Sequence, residues 1–207
     1  MKQIIIITIA LIYFGRLTAQ QSQIELQTIY GSEHKEISEI LRFEGIEIID
    51  LHFSGNNLKG KDYTILIKEF VNGSLSNIDT LVNSKMNKYL QPIDTTSFKF
   101  KFFVKTQLNN TIKMITVFKS FSIEKIYKIK QPKDQYALHD FLNNNMPLQI
   151  EIGKPTYILG YFLPYFEKET GWKKYCEVSG SKYSPEEWGK IFYIPNYFLV
   201  EVTFELE

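Results

Sequence analysis

The sequence predicts an all-β fold: an antiparallel β-sandwich-like domain with one or two short helices. Many short segments alternate apolar and polar residues with a period of two, as half-buried strands do. Gly, Asn, Asp and Pro cluster between these segments and mark turns. Residues 97–120, SFKFKFFVKTQLNNTIKMITVFKS, form the clearest hairpin, and the sheet is expected to be built around it. Many short strands joined by turns point to two packed β layers.

From the N-terminal side, residues 23–30 alternate Ile24, Leu26 and Thr28 with Glu25 and Gln27 and read as a first strand at a sheet edge. Residues 32–42 suit a short helix capped by Ser32 with Ile37, Ile40 and Leu41 on one face, or a strand ending at Phe43. Residues 45–54 read as a strand. The apolar phase changes between Ile46–Ile48 and Ile49–Leu51–Phe53, so a bulge is expected near Ile48 and Ile49. After turns at 55–57 and 60–62, residues 63–71 form a strand, Asn72-Gly73 a hairpin turn and residues 76–82 the return. Residues 83–96 are polar, contain Pro92 and read as loop.

In the central hairpin, Phe98, Phe100, Phe102 and Val104 share one face, and Lys99, Lys101, Phe103 and Lys105 the other. A two-residue loop would set Phe100 against Lys119. A three-residue loop, Leu108-Asn109-Asn110 with Asn110 left-handed, sets Phe100 against Phe118 and Val104 against Met114. Burial favours the second. Its cost is Lys99 facing Lys119 and Lys105 facing Lys113, which requires solvent at those ends. Phe103, Ile115 and Val117 remain on the basic face, so a cover over that patch is expected.

Residues 121–129 continue as a strand. Residues 131–134 break the pattern, residues 136–142 suggest one helical turn, and residues 143–147 a loop. Residues 21–207 thus read as one β-rich domain, with 131–147 as the place where two lobes would meet. Residues 148–152 are a short strand, and 157–166 an aromatic run cut by Gly160 and Pro164. Residues 172–179 read as a strand that buries Cys176. Ser184-Pro185-Glu186-Glu187 starts a short helix with a cap, a first-turn proline and carboxylates at its positive end. Residues 197–206 are apolar on both faces over their first half and are expected to run centrally.

The chain of 207 residues is 44% hydrophobic and 15% aromatic, enough for a real core. A net charge of +1 argues against electrostatic nucleic-acid binding as its main role. Met1-Lys2-Gln3, the apolar run at 4–14 and the polar exit through Ala19 have the layout of a secretory signal peptide, expected to span 1–20. The run is far short of the roughly 20 residues that cross a membrane, and no later stretch is long and apolar enough. No cysteine follows the run for a lipid anchor, and the single Cys176 allows no intramolecular disulfide. The mature chain is therefore expected in the periplasm or outside the cell.

No catalytic residue is nominated. His34, His52 and His139 show no metal-ligand spacing, and Cys176 lies in no nucleophile signature. Phosphate-binding loops and dinucleotide fingerprints are missing, so no cofactor is expected. The most unusual composition is the aromatic lobe at 157–198. Exposed aromatics there would serve as binding anchors, the candidates being Trp172, Trp188, Tyr161 and Tyr165. The competing expectation is that most of these rings are core.

Asp79-Thr80-Leu81 and Asp94-Thr95-Thr96 resemble the O-glycosylation acceptors of exported proteins from Bacteroidetes-type bacteria, which marks Thr80 and Thr95. The leader ending in Thr-Ala-Gln-Gln and the AT-rich coding bias (abundant Ile, Lys, Asn, Phe and Tyr) are similar to the same group. That resemblance implies export but names no activity. The functional expectation is an exported, non-enzymatic β-sandwich that binds a partner protein. The alternative is a glycan-binding module using exposed aromatics of the 157–198 lobe.

Overall fold

The hairpin that dominates the sequence forms the middle of one of two packed sheets. The structure, a computed structural model, describes residues 23–130, 136–142 and 146–205. The expected leader at 1–20, and parts of the expected lobe junction at 131–147, lie outside the described residues. In chain order the elements are β1 (Ile24–Tyr30), α1 (Lys35–Glu44), β2 (Glu47–Ser54), β3 (Tyr63–Val71), β4 (Ser74–Asn83), β5 (Ser97–Gln107), β6 (Thr111–Val117), β7 (Ser122–Lys128) and β8 (Ala137–Asp140). There follow β9 (Leu148–Ile150), β10 (Thr156–Phe162), β11 (Tyr165–Phe166), β12 (Lys173–Lys174), α2 (Cys176–Ser179), a 3-10 turn (Pro185–Glu187), α3 (Trp188–Ile191) and β13 (Asn196–Phe204). The first sheet has the order β7-β6-β5-β2-β1-β9, the second β4-β3-β13-β10-β8, and every pairing is antiparallel. This is the predicted all-β, sandwich-like architecture.

The hairpin register is the one burial selects. Val104 pairs with Met114 and Lys105 with Lys113, around a loop in which Asn110 has φ 61°. Phe100 and Phe118 meet at 5.3 Å between ring centres. From the inner faces, Phe53, Phe100, Phe102 and Val104 of the first sheet join Ile65, Ile67, Phe198, Val200, Val202 and Phe204 of the second in one buried cluster. β13 is central, as its double-faced apolar pattern predicts. The Asn72-Gly73 turn has positive φ at both residues, 50° and 74°, the geometry that suits the right-handed twist of a two-residue hairpin.

Several expectations are corrected. The pairing of β2 with β1 and with β5 is unbroken through Ile48 and Ile49, so there is no bulge there. Ile48 instead faces outward beside Phe103. β1 is not an edge strand, because β9 pairs with Ile24 to Leu26. Of the two alternatives for 32–42 the helix is the one formed, α1 starting at Lys35 with His34 rather than Ser32 at its N-cap and closing at Gly45 (φ 63°), whose N–H bonds back to the last turn. Residues 137–140 form a strand and not a helical turn. Tyr136 and Leu138 point inward in alternation, and β10 offers a free edge to pair with. Residues 172–179 contain only two strand residues before α2, because this segment lies over an already filled sheet and buries only Val178 in its helix.

The sandwich edges are closed by polar groups. On one side the Leu138 N–H donates to Glu47 Oε2 at 2.9 Å, and the Asp140 N–H to the Tyr30 hydroxyl at 2.7 Å. On the other, Lys125 of β7 reaches Asp79 of β4 at 3.3 Å. Strands on both sides of 131–147 feed both sheets: β9 joins β1 in the first, and β10 and β13 join β3 and β4 in the second. Among the described residues, no helix is long and apolar enough to cross a membrane.

Candidate functional site

Residues 163–195 form a cap on the outer face of the second sheet, and most of the aromatic lobe is spent on seating it. Gly160 leaves the space: a Cβ there would come within 3.3 Å of the Trp188 ring. Trp188 fills that space against Phe162 at 4.9 Å, Phe141 at 5.6 Å and Tyr197 at 6.0 Å, and is only 1% exposed. Tyr161 is 4% exposed, because it faces the sandwich interior and stacks on Tyr136 at 5.2 Å. Both therefore leave the set of exposed anchors named from the sequence: a side chain that fills the core offers no surface to a ligand.

Polar anchors complete the seat. Lys68 donates to Glu201 at 2.7 Å and to the Tyr157 hydroxyl at 3.2 Å, and that hydroxyl in turn donates to Glu186 on the 3-10 turn. The Tyr197 hydroxyl donates to the Glu186 carbonyl at 2.9 Å. Burial, helped by the Glu186 charge and opposed by the Gly189 N–H, pushes the Tyr197 phenol up to about 12.

Trp172 remains exposed and Tyr165 is half-buried, and they share a face. In the β11–β12 ribbon Tyr165 pairs with Lys174 and Phe166 with Lys173, and the Glu167 N–H bonds to the Trp172 carbonyl. Alternation therefore puts Tyr165, Glu167, Trp172 and Lys174 on one side. Gly171, at φ 72°, makes the turn that presents Trp172, which is 68% exposed. Lys174 bridges Glu167 at 2.6 Å and Glu177 at 2.7 Å. Hydrogen bonds from Lys174 and Thr170 hold the Glu167 carboxyl below the usual carboxylate range, and the same network holds the Lys174 ammonium above its ordinary value.

Phe192 ties this ribbon to the rest of the cap, meeting Tyr165 at 5.8 Å and Tyr183 at 6.1 Å. The next residue, Tyr193, has φ 56° and is 81% exposed. A bulky residue held left-handed at the surface is a strained feature that invites a functional reading. Sequence reasoning missed Tyr193 and Tyr183. The signal available was Tyr-Ile-Pro after a short helix, which marks a turn but not its handedness.

Cys176 is exposed at the start of α2, which corrects the expectation of a small buried residue. His139 packs between Phe162 and Tyr175, and burial lowers its pKa despite Asp140. Thr95 is exposed, with its hydroxyl bonded to the Ser97 backbone. Thr80 is exposed on the outermost strand of its sheet, next to the irregular register at Leu81. Among the described residues, no three His, Cys, Asp or Glu side chains gather as a metal site.

The second surface feature is a groove of about 1320 Å³. It lies at the end of the first sheet, where the loop from β4 to β5 and the turn after β6 fold beside the outer face. His52, Lys99, Lys119 and Tyr89 line it, and none of them was nominated from the sequence. The His52 Nε2 lies 3.0 Å from the Ser97 hydroxyl, and burial first, then Lys99, lowers its pKa.

Compared with family models, with curated proteins and with solved structures, the chain matches none.

Proposed function

We propose that the protein is an exported, non-enzymatic β-sandwich that binds a partner protein through its cap, with Trp172 as the anchor. The observation that carries this reading is the presentation of Trp172. A two-stranded ribbon holds a mostly exposed indole on the same side as Tyr165, with the Lys174 ion network beside it. Interfaces use such aromatic anchors ringed by polar groups, and a few of them dominate the binding energy. Export rests on the leader read at 1–20.

The test is recovery of a partner from the native envelope by the mature chain and by Trp172→Ala. Loss of about tenfold in affinity, roughly 1.4 kcal/mol, is expected for an anchor. An unchanged affinity would remove Trp172 from the interface.

A second reading is a sugar-binding module. It is favoured by the exposed Trp172 ring and by the Thr170 hydroxyl, which accepts the Trp172 backbone N–H and donates to the Glu167 carboxylate, since a sugar ring needs a flat apolar face with hydrogen-bonding groups near it. Quenching of Trp172 fluorescence by neutral oligosaccharides, abolished in Glu167→Ala, distinguishes it from the first.

A further inference from the structure

The outer face of the first sheet is laid out in rows. Cross-strand pairing aligns Ile29, Asp50, Lys101 and Val117 in one row, and Gln27, His52 and Lys99 in the next. Lys119 lies in the turn closed by the Phe118 and Phe121 backbones just after β6, and lines the same groove as Lys99. Lys101 is neutralised by Asp50 at 3.0 Å. Lys99 and Lys119 are exposed and have no acidic partner within ion-pair distance among the described residues. Two like charges lining one groove repel each other unless something offsets them. The chain keeps them beside a groove while its net charge is only +1.

The opposite wall supplies the other half of a recognition surface. Tyr89, 82% exposed, stands on the β4–β5 loop with Gln91 and Thr95 nearby in the lining. β2 and β5, which make the wall, are hydrogen-bonded to strands on both sides. An incoming peptide therefore finds no free backbone edge on β2 or β5 to extend, and side chains dominate what these two strands offer a ligand. Asp50 and Asp94 also line the groove; Lys101 takes up Asp50, and Lys99 and Lys119 outweigh Asp94. Two cations, hydrogen-bonding groups and one exposed ring match a sugar chain that carries anionic groups.

We propose that this groove is a second binding site, separate from the aromatic cap, and that it takes an acidic oligosaccharide. Lys99 and Lys119 engage its carboxylate or sulfate groups, His52 and Gln27 its hydroxyls, and Tyr89 stacks on one ring. The proposal does not depend on the cap binding anything.

The experiment is calorimetric titration of the mature chain with oligogalacturonate, with a heparin-derived oligosaccharide, with neutral dextran oligosaccharide and with polyglutamate. Saturable binding of the carboxylated or the sulfated sugar is expected, the tighter of the two identifying the anionic group, with no binding of dextran. Lys99→Gln/Lys119→Gln should weaken it at least tenfold and Tyr89→Ala about fivefold. Trp172→Ala and the charge control Lys173→Gln should leave it unchanged. Both lysines are exposed, so the double variant is expected to fold, with its urea midpoint as the check. Binding of neither acidic sugar, equal binding of dextran, or polyglutamate binding as tightly as the sugars would overturn the proposal. So would insensitivity to Tyr89→Ala, since that would reduce the site to bare charge.

Discussion

At the scale of single residues, the two sides of one strand make a direct comparison. Phe100 is buried between Phe53 at 5.7 Å and Phe118 at 5.3 Å, whereas its neighbour Lys101 is on the solvent side, paired with Asp50. Phe100→Lys places an unpaired charge in the core and should cost several kcal/mol, while Lys101→Phe should stay within ~1. Urea melts of the two variants check this, and equal losses would contradict the face assignment. The two tryptophans form a second contrast. Trp188→Ala should cost about 3–5 kcal/mol because it empties the space over Gly160. Trp172→Ala should cost little, since that ring has few neighbours to lose. Acrylamide should quench Trp172 strongly and leave a blue-shifted, protected emission from Trp188. The sequence could not separate them. Both follow turn residues, and their difference lies in a long-range fact, the gap left by Gly160 on another strand.

At the scale of elements, the cap is held to the sandwich at one very close backbone approach. The β3–β4 turn meets α3 where Gly73 and Gly189 touch: a Cβ on Gly189 would lie 2.6 Å from the Gly73 Cα and 2.7 Å from its nitrogen. The Asn72 N–H also bonds to the Pro195 carbonyl at 2.9 Å. Ala is normally favoured over Gly within a helix by roughly 1 kcal/mol. Here Gly189→Ala should instead destabilise the protein, because the obstructing atoms are backbone and cannot rotate away. A raised thermal midpoint for Gly189→Ala would show that the turn and cap separate easily. Elements with strict alternation, such as β5 and β6, were legible in the sequence because one pattern fixes both type and face, and β13 was legible from an apolar run on both faces. β8 was not, because Leu138, Phe141 and Leu142 fall at i, i+3 and i+4 and mimic helical spacing over a short stretch. Neither was the ribbon before α2, whose shape follows from the finished sheet beneath it. Of the candidate site, Trp172 and Tyr165 were legible as aromatics near turns. The groove was not, because it is made by register across β1, β2, β5 and β6.

At the scale of the whole molecule, polar groups that close the sandwich should set how its stability depends on pH. Glu47 accepts the Leu138 N–H across one edge, and burial raises its carboxyl pKa above the ordinary 4.5 although that hydrogen bond pulls it down. Burial also raises Glu69, with Asp79 adding to the effect and the Asn196 side chain opposing it. An acid with a raised folded pKa holds its proton longer in the folded chain than in the unfolded one. From the ordinary value upward to the folded value, stability therefore falls as pH rises. His139 acts in the opposite direction. Burial lowers its pKa below 6.5, so the unfolded chain takes up the proton first, and stability falls as pH drops through that window. In the wild type these contributions partly cancel in mildly acidic solution. Glu47→Gln/Glu69→Gln removes the two acids, and a glutamine can still accept through its oxygen. The variant's stability relative to wild type should then increase from about pH 5 to about pH 8, and its own stability should rise more steeply with pH over that range. Urea melts of both proteins at the two pH values measure the difference directly. An offset that is the same at both would mean that the carboxylates titrate alike in the folded and unfolded chains, and that their burial at the sandwich edge costs nothing.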